Sequence, residues 1–139
     1  MKILRIQGKN LASIAGEFDI DFTAAPLRSA GIFAICGPTG AGKSTILDAI
    51  CLALFNNMPR TTGIEGTKMP DVGQEFIQQG DRRQILRRGT AEAMAAVEFI
   101  AVDGKSYRSV WRVWRANNKI SGKLQPAELR VYPLGDPSP

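Results

Sequence analysis

The sequence predicts an α/β fold with an antiparallel β region, and three observations support this prediction. Residues 31–36 form an apolar run that leads into a glycine-rich loop. Residues 43–55 follow that loop as a helical stretch. Residues 91–115 contain two β-compatible runs around an Asp-Gly pair. A length of 139 residues with 44% apolar residues is sufficient for one domain with a modest core.

The first segment, residues 1–56, is expected to hold the core strands, the glycine-rich loop and the helix. Residues 2–7 and 17–22 alternate between apolar and polar side chains, as half-buried strands do. Residues 31–36 are apolar throughout, which predicts a central strand covered on both faces. The glycine-rich loop would then leave the carboxyl end of this strand.

The helix predicted over residues 43–55 is apolar nearly all round, which indicates deep burial. Asn56 and Pro59 are typical of residues that end a helix. Cys36 and Cys51 lie inside apolar stretches and are interpreted as buried free thiols of a reducing compartment. A cytoplasmic location is therefore expected.

The remaining chain divides into two further segments. Residues 57–90 form a loop or insertion rich in Gly, Pro, Asn, Thr and Arg, with at most a short helix over residues 71–79. Residues 91–133 are expected to form an antiparallel hairpin region that ends with a strand over residues 128–132. Residues 134–139 are expected to be a frayed end.

The hairpin itself is predicted from residues 91–102 and 105–115. The Asp-Gly pair at 103–104 suits a two-residue turn whose residues adopt positive φ angles. Trp111 and Trp114 are an odd number of positions apart and so lie on opposite faces of their strand. Core packing is favoured for these indoles over stacking on nucleic-acid bases.

The strongest motif is the phosphate-binding, or Walker A, pattern G-x-x-x-x-G-K-[ST] between the apolar run and the helix. It is formed by Gly37, Pro38, Thr39, Gly40, Ala41, Gly42, Lys43, Ser44 and Thr45. A glycine-rich turn that matches by accident is the alternative, and such a match arises by chance in roughly 0.5% of chains of this length. The strand-loop-helix context therefore favours a P-loop that binds a nucleoside triphosphate.

Each residue type in the loop has a physical role. Glycines let the main chain fold round an anion with its amides directed inward, and the helix N-terminus favours negative charge. Lys43 is predicted to reach the terminal phosphates and to act in catalysis; the alternative is that it only neutralises bound phosphate. Ser44 is predicted to bind Mg²⁺ through its hydroxyl, and Thr45 to hydrogen-bond an inner phosphate.

Charge and hydropathy limit the partners. A net charge of +5 and a pI of about 9.6 favour an anionic partner. Most of the excess lies in one basic cluster, which could contact a DNA backbone or could simply be solvated strand faces. The cluster consists of Arg82, Arg83, Arg87, Arg88, Lys105, Arg108, Arg112 and Arg115. No apolar stretch reaches the roughly 18 residues of a membrane span, so no membrane partner is expected.

Sequence on both sides of the loop carries a family resemblance. The matching pieces are Lys9-Asn10-Leu11, Asp21-Phe22-Thr23, residues 47–55, Met58-Pro59-Arg60, Gly89-Thr90-Ala91-Glu92, Val97-Glu98-Phe99 and Tyr107-Arg108. Together with the loop they resemble the N-terminal ATPase lobe of the SbcC family. These proteins are large subunits of bacterial DNA-repair nucleases and are related to the structural-maintenance-of-chromosomes (SMC) ATPases.

The resemblance implies that the nucleotide is ATP with Mg²⁺ and that the chain is the N-terminal half of an ABC/SMC-type head. The rest of the head, a C-terminal lobe, and a coiled coil would lie outside this chain, and two heads would dimerise around ATP. A nuclease subunit resembling SbcD and double-stranded DNA ends are the implied partners in DNA repair and recombination. The chain by itself is expected to be inactive as an ATPase.

Two points of the resemblance qualify these expectations. Ala12 stands where several relatives place a basic residue near the nucleotide, and in relatives the segment that contains Arg87 and Arg88 lies near the nucleoside. Thr39 and the run Asp48-Ala49-Ile50 favour SbcC over other classes. The alternatives are a chromosome-organising SMC or RecF-type ATPase, a transporter ATPase or a phosphotransferase.

Overall fold

A five-stranded antiparallel sheet carries one α-helix on its inner face. This is the architecture of the computed structural model, which describes residues 1–64 and 66–135. The elements in chain order are β1 (Lys2–Leu11), β2 (Ile14–Asp21), α1 (Lys43–Phe55), β3 (Lys68–Pro70), β4 (Phe76–Gln78), β5 (Glu92–Ile100), β6 (Ser106–Trp114) and β7 (Glu128–Pro133). The large sheet has the order β2-β1-β5-β6-β7, and β3 and β4 form a separate two-stranded sheet.

The core lies between α1 and the inner face of the large sheet. Trp111 on β6 is fully buried, and its indole nitrogen donates to the side-chain oxygen of Asn56 at 3.0 Å, just beyond the helix. Ala95 lies opposite Trp111 on β5, where a small side chain leaves space for the indole. Leu52 and Ala53 bring the helix onto this surface. The expectation of core packing is confirmed for Trp111, whereas Trp114 is only half-buried and is not part of this core.

The outer face of the sheet is polar, and its charges are arranged as cross-strand ion pairs. Arg5 on β1 pairs with Asp19 on β2, and Lys9 pairs with Glu17 on β2 and Glu92 on β5. Such pairs stabilise neighbouring strands only modestly when they are exposed. The alternation predicted for residues 2–7 and 17–22 is thereby confirmed, although both strands are longer at one end than predicted.

Residues 31–36 do not form the central strand that the sequence predicts. They are exposed throughout, with Ile32 94% accessible, and their backbone amides and carbonyls have no backbone partner among the described residues. A strand is defined by ladder hydrogen bonds to a neighbour, and residues 1–64 and 66–135 place no neighbour beside this segment. Phe33 is anchored only at one side, where its ring lies 4.8 Å from that of Phe22.

The helix has the bounds that the sequence predicts, but its burial is one-sided. Asn56 ends it in the left-handed region with φ of 53°, and its N–H bonds the Leu52 carbonyl at 2.9 Å. Leu47 remains 56% exposed because only one face of α1 meets the sheet. The prediction of burial all round is therefore wrong. So is the prediction of buried thiols, since Cys36 is exposed and Cys51 is half-buried.

The segment 57–90 is more ordered than a loop. The short helix predicted over residues 71–79 is wrong, because Asp71 N–H bonds the Glu75 carbonyl in the turn that joins β3 to β4. The two-stranded sheet is tied to the end of β6 by Arg115, whose guanidinium nitrogens donate to both carboxylate oxygens of Asp71 at 2.9 and 2.7 Å. This ion pair is largely buried.

The predicted hairpin and last strand are confirmed, with a different turn. Gly104 N–H bonds the Ala101 carbonyl at 3.1 Å, and Ala101 N–H bonds the Lys105 carbonyl at 2.9 Å. Only Gly104 has a positive φ, 79°. The connection is therefore a three-residue loop closed by a left-handed glycine, not a two-residue turn. Most of the predicted frayed end, residues 136–139, lies outside the described residues.

Candidate nucleotide-binding site

The glycine-rich loop leads directly into α1, and its residues 37–41 are exposed on the surface whereas Gly42 is buried. Gly40 and Gly42 have φ angles of 84° and 95°, a conformation that side-chain-bearing residues rarely adopt. The turn is closed by a hydrogen bond of 3.2 Å from Ala41 N–H to the Pro38 carbonyl. Gly40 and Gly42 are thus needed for the path of the main chain itself.

Several backbone amides at the start of α1 lack a backbone acceptor. The first helical hydrogen bond at this end runs from Ile46 N–H to the Gly42 carbonyl at 3.1 Å. Among the described residues, no backbone carbonyl accepts from the amides of residues 42–45. Gly42 is the N-cap residue and has no side chain to cap them. These free donors, with the positive end of the helix dipole, favour an anion at the loop.

Lys43 adds a positive charge to the same place. Its ammonium group folds back over the loop and donates to the carbonyls of Gly37 and Pro38, each at 2.7 Å. Ser44 is exposed beside it, whereas Thr45 is only 3% accessible beneath the loop. The structure therefore brings Lys43 and Ser44 together at the surface of the loop, while contact between Thr45 and a phosphate stays a prediction.

The loop is supported from below by the turn between β1 and β2. A Cβ atom built on Gly42 would lie 2.6 Å from Cγ1 of Ile14, so only glycine fits between the loop and this turn. Arg87 holds the turn in place, because one guanidinium nitrogen donates to the carbonyls of Ala12 and Ser13 at 3.0 and 2.9 Å. The sequence pattern identifies Gly42 but gives no sign of these supporting contacts.

A buried acidic residue lies one helical turn beyond Ser44. Asp48 on α1 is nearly inaccessible and forms an ion pair with Arg60, which follows the helix in the Met58-Pro59-Arg60 stretch. This pair fixes the chain after the helix against the face that carries Ser44. Residue spacing alone gives no reason to pair these two side chains.

The basic cluster is not one uniform surface. Four of its arginines are engaged within the fold: Arg83 with Asp81, Arg87 with the β1–β2 turn, Arg108 with Glu98, and Arg115 with Asp71. Three members, Arg88, Lys105 and Arg112, are exposed and make no ion pair within the described chain, and Arg82 is half-buried. Four of the eight side chains thus already have partners within the fold, and contact between the cluster and DNA stays a prediction.

The donor set fits a polyphosphate. The amides of residues 42–45, the ammonium group of Lys43 and the exposed hydroxyl of Ser44 are neighbours at the loop, and these are the groups that phosphate oxygens and a hard cation require. Within residues 1–64 and 66–135, no cluster of three or more His, Cys, Asp or Glu residues is arranged to hold a metal ion. Ligation of Mg²⁺ by Ser44, whose side chain is exposed, stays a prediction. No described helix has the length and apolar character needed to cross a membrane.

Comparison with known proteins gives a family and a set of relatives. Residues 5–132 match the family described as AAA domain. The SbcC component of the SbcCD nuclease of Pseudomonas aeruginosa is 53% identical over 135 residues, which cover 96% of this chain and 11% of that protein. The SbcC component of the same nuclease in Rhodobacter capsulatus is 53% identical over 126 residues, covering 90% of this chain and 10% of the relative.

A more distant relative extends the comparison. A Probable DNA double-strand break repair Rad50 ATPase of Aquifex aeolicus is 33% identical over 135 residues, covering 97% of this chain and 11% of that protein. The chain spans about a tenth of the length of these relatives. The similarity includes the loop and the strands on both sides of it.

Proposed function

The chain belongs to the AAA domain family of P-loop ATPases and to its SbcC-like members, and from this we propose that it is the ATP-binding N-terminal lobe of a DNA-repair ATPase head. The observation that carries the proposal is the loop itself. Unpaired amides at the start of α1, the ammonium group of Lys43 and the hydroxyl of Ser44 lie at one point of the surface. Relatives named SbcC and Rad50 disfavour the chromosome-organising, transporter and phosphotransferase alternatives.

Each loop residue has a proposed part in holding Mg-ATP. The main chain of residues 37–42 encloses the phosphates, and a phosphate offers Lys43 charged acceptors that are stronger than the two carbonyls it now contacts. The hydroxyl of Ser44 is the proposed Mg²⁺ ligand, and Thr45 the proposed partner of an inner phosphate. Lys43 is also the proposed catalytic residue, since phosphoryl transfer depends mainly on positioning and on charge stabilisation.

The exposed segment 31–36 supports a head built from two lobes. An exposed, apolar stretch whose backbone donors and acceptors have no backbone partner among the described residues is a surface that an added strand could cover. We therefore propose that a C-terminal lobe of the same protein, outside these residues and separated by a coiled coil, pairs with it. Residues 1–139 would be the N-terminal lobe, with 1–56 as core and phosphate loop, 57–90 as an insertion and 91–133 as the antiparallel region.

Hydrolysis is proposed to need more than this lobe. The sequence of residues 1–139 has no apolar run that ends in Asp-Glu and no histidine, and we propose that further chain supplies the groups that activate water. A completed head would dimerise with a second head around ATP and act in the cytoplasm with an SbcD-like nuclease on double-stranded DNA ends. The lobe alone is expected to turn over ATP far more slowly than about 1 per second.

The proposal is tested on the full-length protein with its nuclease partner. Linear duplex DNA should be degraded from its ends in an ATP-dependent manner, whereas a closed circle of the same sequence should persist. ATP turnover should rise when DNA ends are added. ATP turnover that is unaffected by DNA and by the nuclease would overturn the proposed role and favour one of the other ATPase classes.

A further inference from the structure

We propose that Arg87 is a positioning residue for the phosphate loop and acts through the turn between β1 and β2. This inference rests on the proposed function, because it assigns a role in ATP binding to a residue outside the loop motif. The contacts run from the guanidinium of Arg87 to the carbonyls of Ala12 and Ser13, and from Ile14 to Gly42. The loop is therefore supported through a residue 45 positions away from Gly42 in sequence.

The turn needs a clamp because its backbone is strained. Ala12 in this turn has a φ of 45°, and the left-handed region is unfavourable for alanine, which has a Cβ atom and no polar side chain to compensate. The carbonyls of Ala12 and Ser13 both point to one nitrogen of Arg87. Hydrogen bonds from a charged donor are stronger than neutral ones, so this interaction offsets the strain at the position where the turn meets the loop.

The effect of the Arg87 side chain on the turn can be separated from the main-chain hydrogen bonds between the same segments. Main-chain bonds join the same segments, from Arg87 N–H to the Asn10 carbonyl at 2.9 Å and from Ala12 N–H to the Ile85 carbonyl at 2.7 Å. These bonds survive truncation of the Arg87 side chain. Arg87→Ala is thus expected to loosen the position of Ser13 and Ile14 while β1 and the segment before β5 stay paired.

The contact between Ile14 and Gly42 couples the position of the turn to the position of the phosphate loop. Ile14 fills the space beneath Gly42, and Gly42 is the N-cap residue at the start of the unpaired amides. Displacement of Ile14 lets the loop leave the arrangement in which its amides converge. Because preorganised donors bind an anion better than mobile ones, the expected effect is on affinity for the phosphates rather than for the nucleoside.

The test measures binding of two ligands to the folded chain, Mg-ATP and Mg-tripolyphosphate, which lacks a nucleoside. Arg87→Ala should weaken both by about tenfold. Arg112→Ala removes one exposed positive charge from the outer face of the sheet and should change affinity less than about twofold. Arg87→Lys keeps the charge but lacks the planar guanidinium, so it should weaken the affinity for both ligands to an intermediate degree. It replaces Arg87→Ala if the alanine variant does not fold.

A double-mutant cycle separates positioning from direct contact. If Arg87 acts through the turn, Ile14→Ala weakens binding too, and adding Arg87→Ala to it changes affinity little further. Wild-type affinity in Arg87→Ala, a loss confined to Mg-ATP, or additive losses in the double variant would each overturn the inference. Failure of the unmodified chain to bind either ligand would instead refute the proposed function itself.

Discussion

At the scale of single residues, Gly42 is constrained twice over. Its φ of 95° requires a residue without a Cβ, and Ile14 occupies the volume that a Cβ would need. The sequence motif predicts the glycine, but it cannot predict Ile14 or Arg87, because a hydrogen bond from a guanidinium to a carbonyl 75 residues away has no sequence signature. The glycine turn before α1 was therefore predictable from sequence, whereas the contacts of Ile14 and Arg87 that hold it were not.

The buried pair of Arg115 and Asp71 gives a prediction at the same scale. Hydrogen bonds from Arg115 lower the pKa of Asp71 below its usual value of 3.8, and this effect outweighs the burial that would raise it. A lowered folded-state pKa means that the pair contributes its stability above pH 3.8 and loses it as the pH falls further. Asp71→Asn should therefore reduce the free energy of unfolding by about 2 kcal/mol near neutral pH.

Urea unfolding near neutral pH and at about pH 3 checks this prediction. The difference in free energy of unfolding between wild type and Asp71→Asn should narrow at the lower pH, because the Asp71 carboxylate of the unfolded chain takes up a proton below pH 3.8. Glu17→Gln removes an exposed carboxylate from the outer face of the sheet and is the control. An equal difference in free energy of unfolding at both pH values would show that the charge of Asp71 does not stabilise the pair.

At the scale of elements, local signals were enough for some elements and not for others. The bounds of α1 follow from an apolar run and the asparagine that ends it, both of which are local. Residues 31–36 have the composition of a central strand, but a strand also needs neighbours, and the described chain supplies none beside them. The one-sided burial of α1 has the same origin, because a second layer that would cover Leu47 is not among these residues.

Substitution of Ile32 tests whether this segment is a surface for another lobe. In the chain itself, Ile32→Asp should change the free energy of unfolding by less than about 0.5 kcal/mol, because Ile32 is exposed. The same change in the full-length protein should destabilise the head by about 3 kcal/mol or more if a second lobe buries it. Denaturant unfolding of both proteins measures this difference.

Leu47→Asp, on the exposed face of α1, tests in the same way whether another lobe covers the helix. It should likewise destabilise the full-length protein more than the chain itself. A large loss of stability from Ile32→Asp in the chain itself would contradict the exposed position of the segment. A negligible loss in the full-length protein would instead rule out burial of residues 31–36 by another lobe.

In the molecule as a whole, one part has its apolar surface buried by contacts within the chain, and another part leaves apolar surface exposed. The antiparallel sheet, its ion-paired outer face and the core around Trp111 are closed by contacts within the chain. The apolar segment before the phosphate loop and the exposed face of α1 are not. The phosphate loop connects these two open parts of the chain, because it joins residues 31–36 to α1.

Calorimetric titration of the chain with Mg-ATP tests whether the glycine-rich loop binds a nucleoside triphosphate. The unmodified chain should bind one Mg-ATP, and Lys43→Ala should weaken binding about 100-fold or more because it removes the ammonium group at the loop. Lys119→Ala, which removes an exposed charge elsewhere, should bind as the unmodified chain does. Equal affinity in the unmodified chain and in Lys43→Ala, or no binding by either, would contradict the proposal that this loop binds ATP through Lys43.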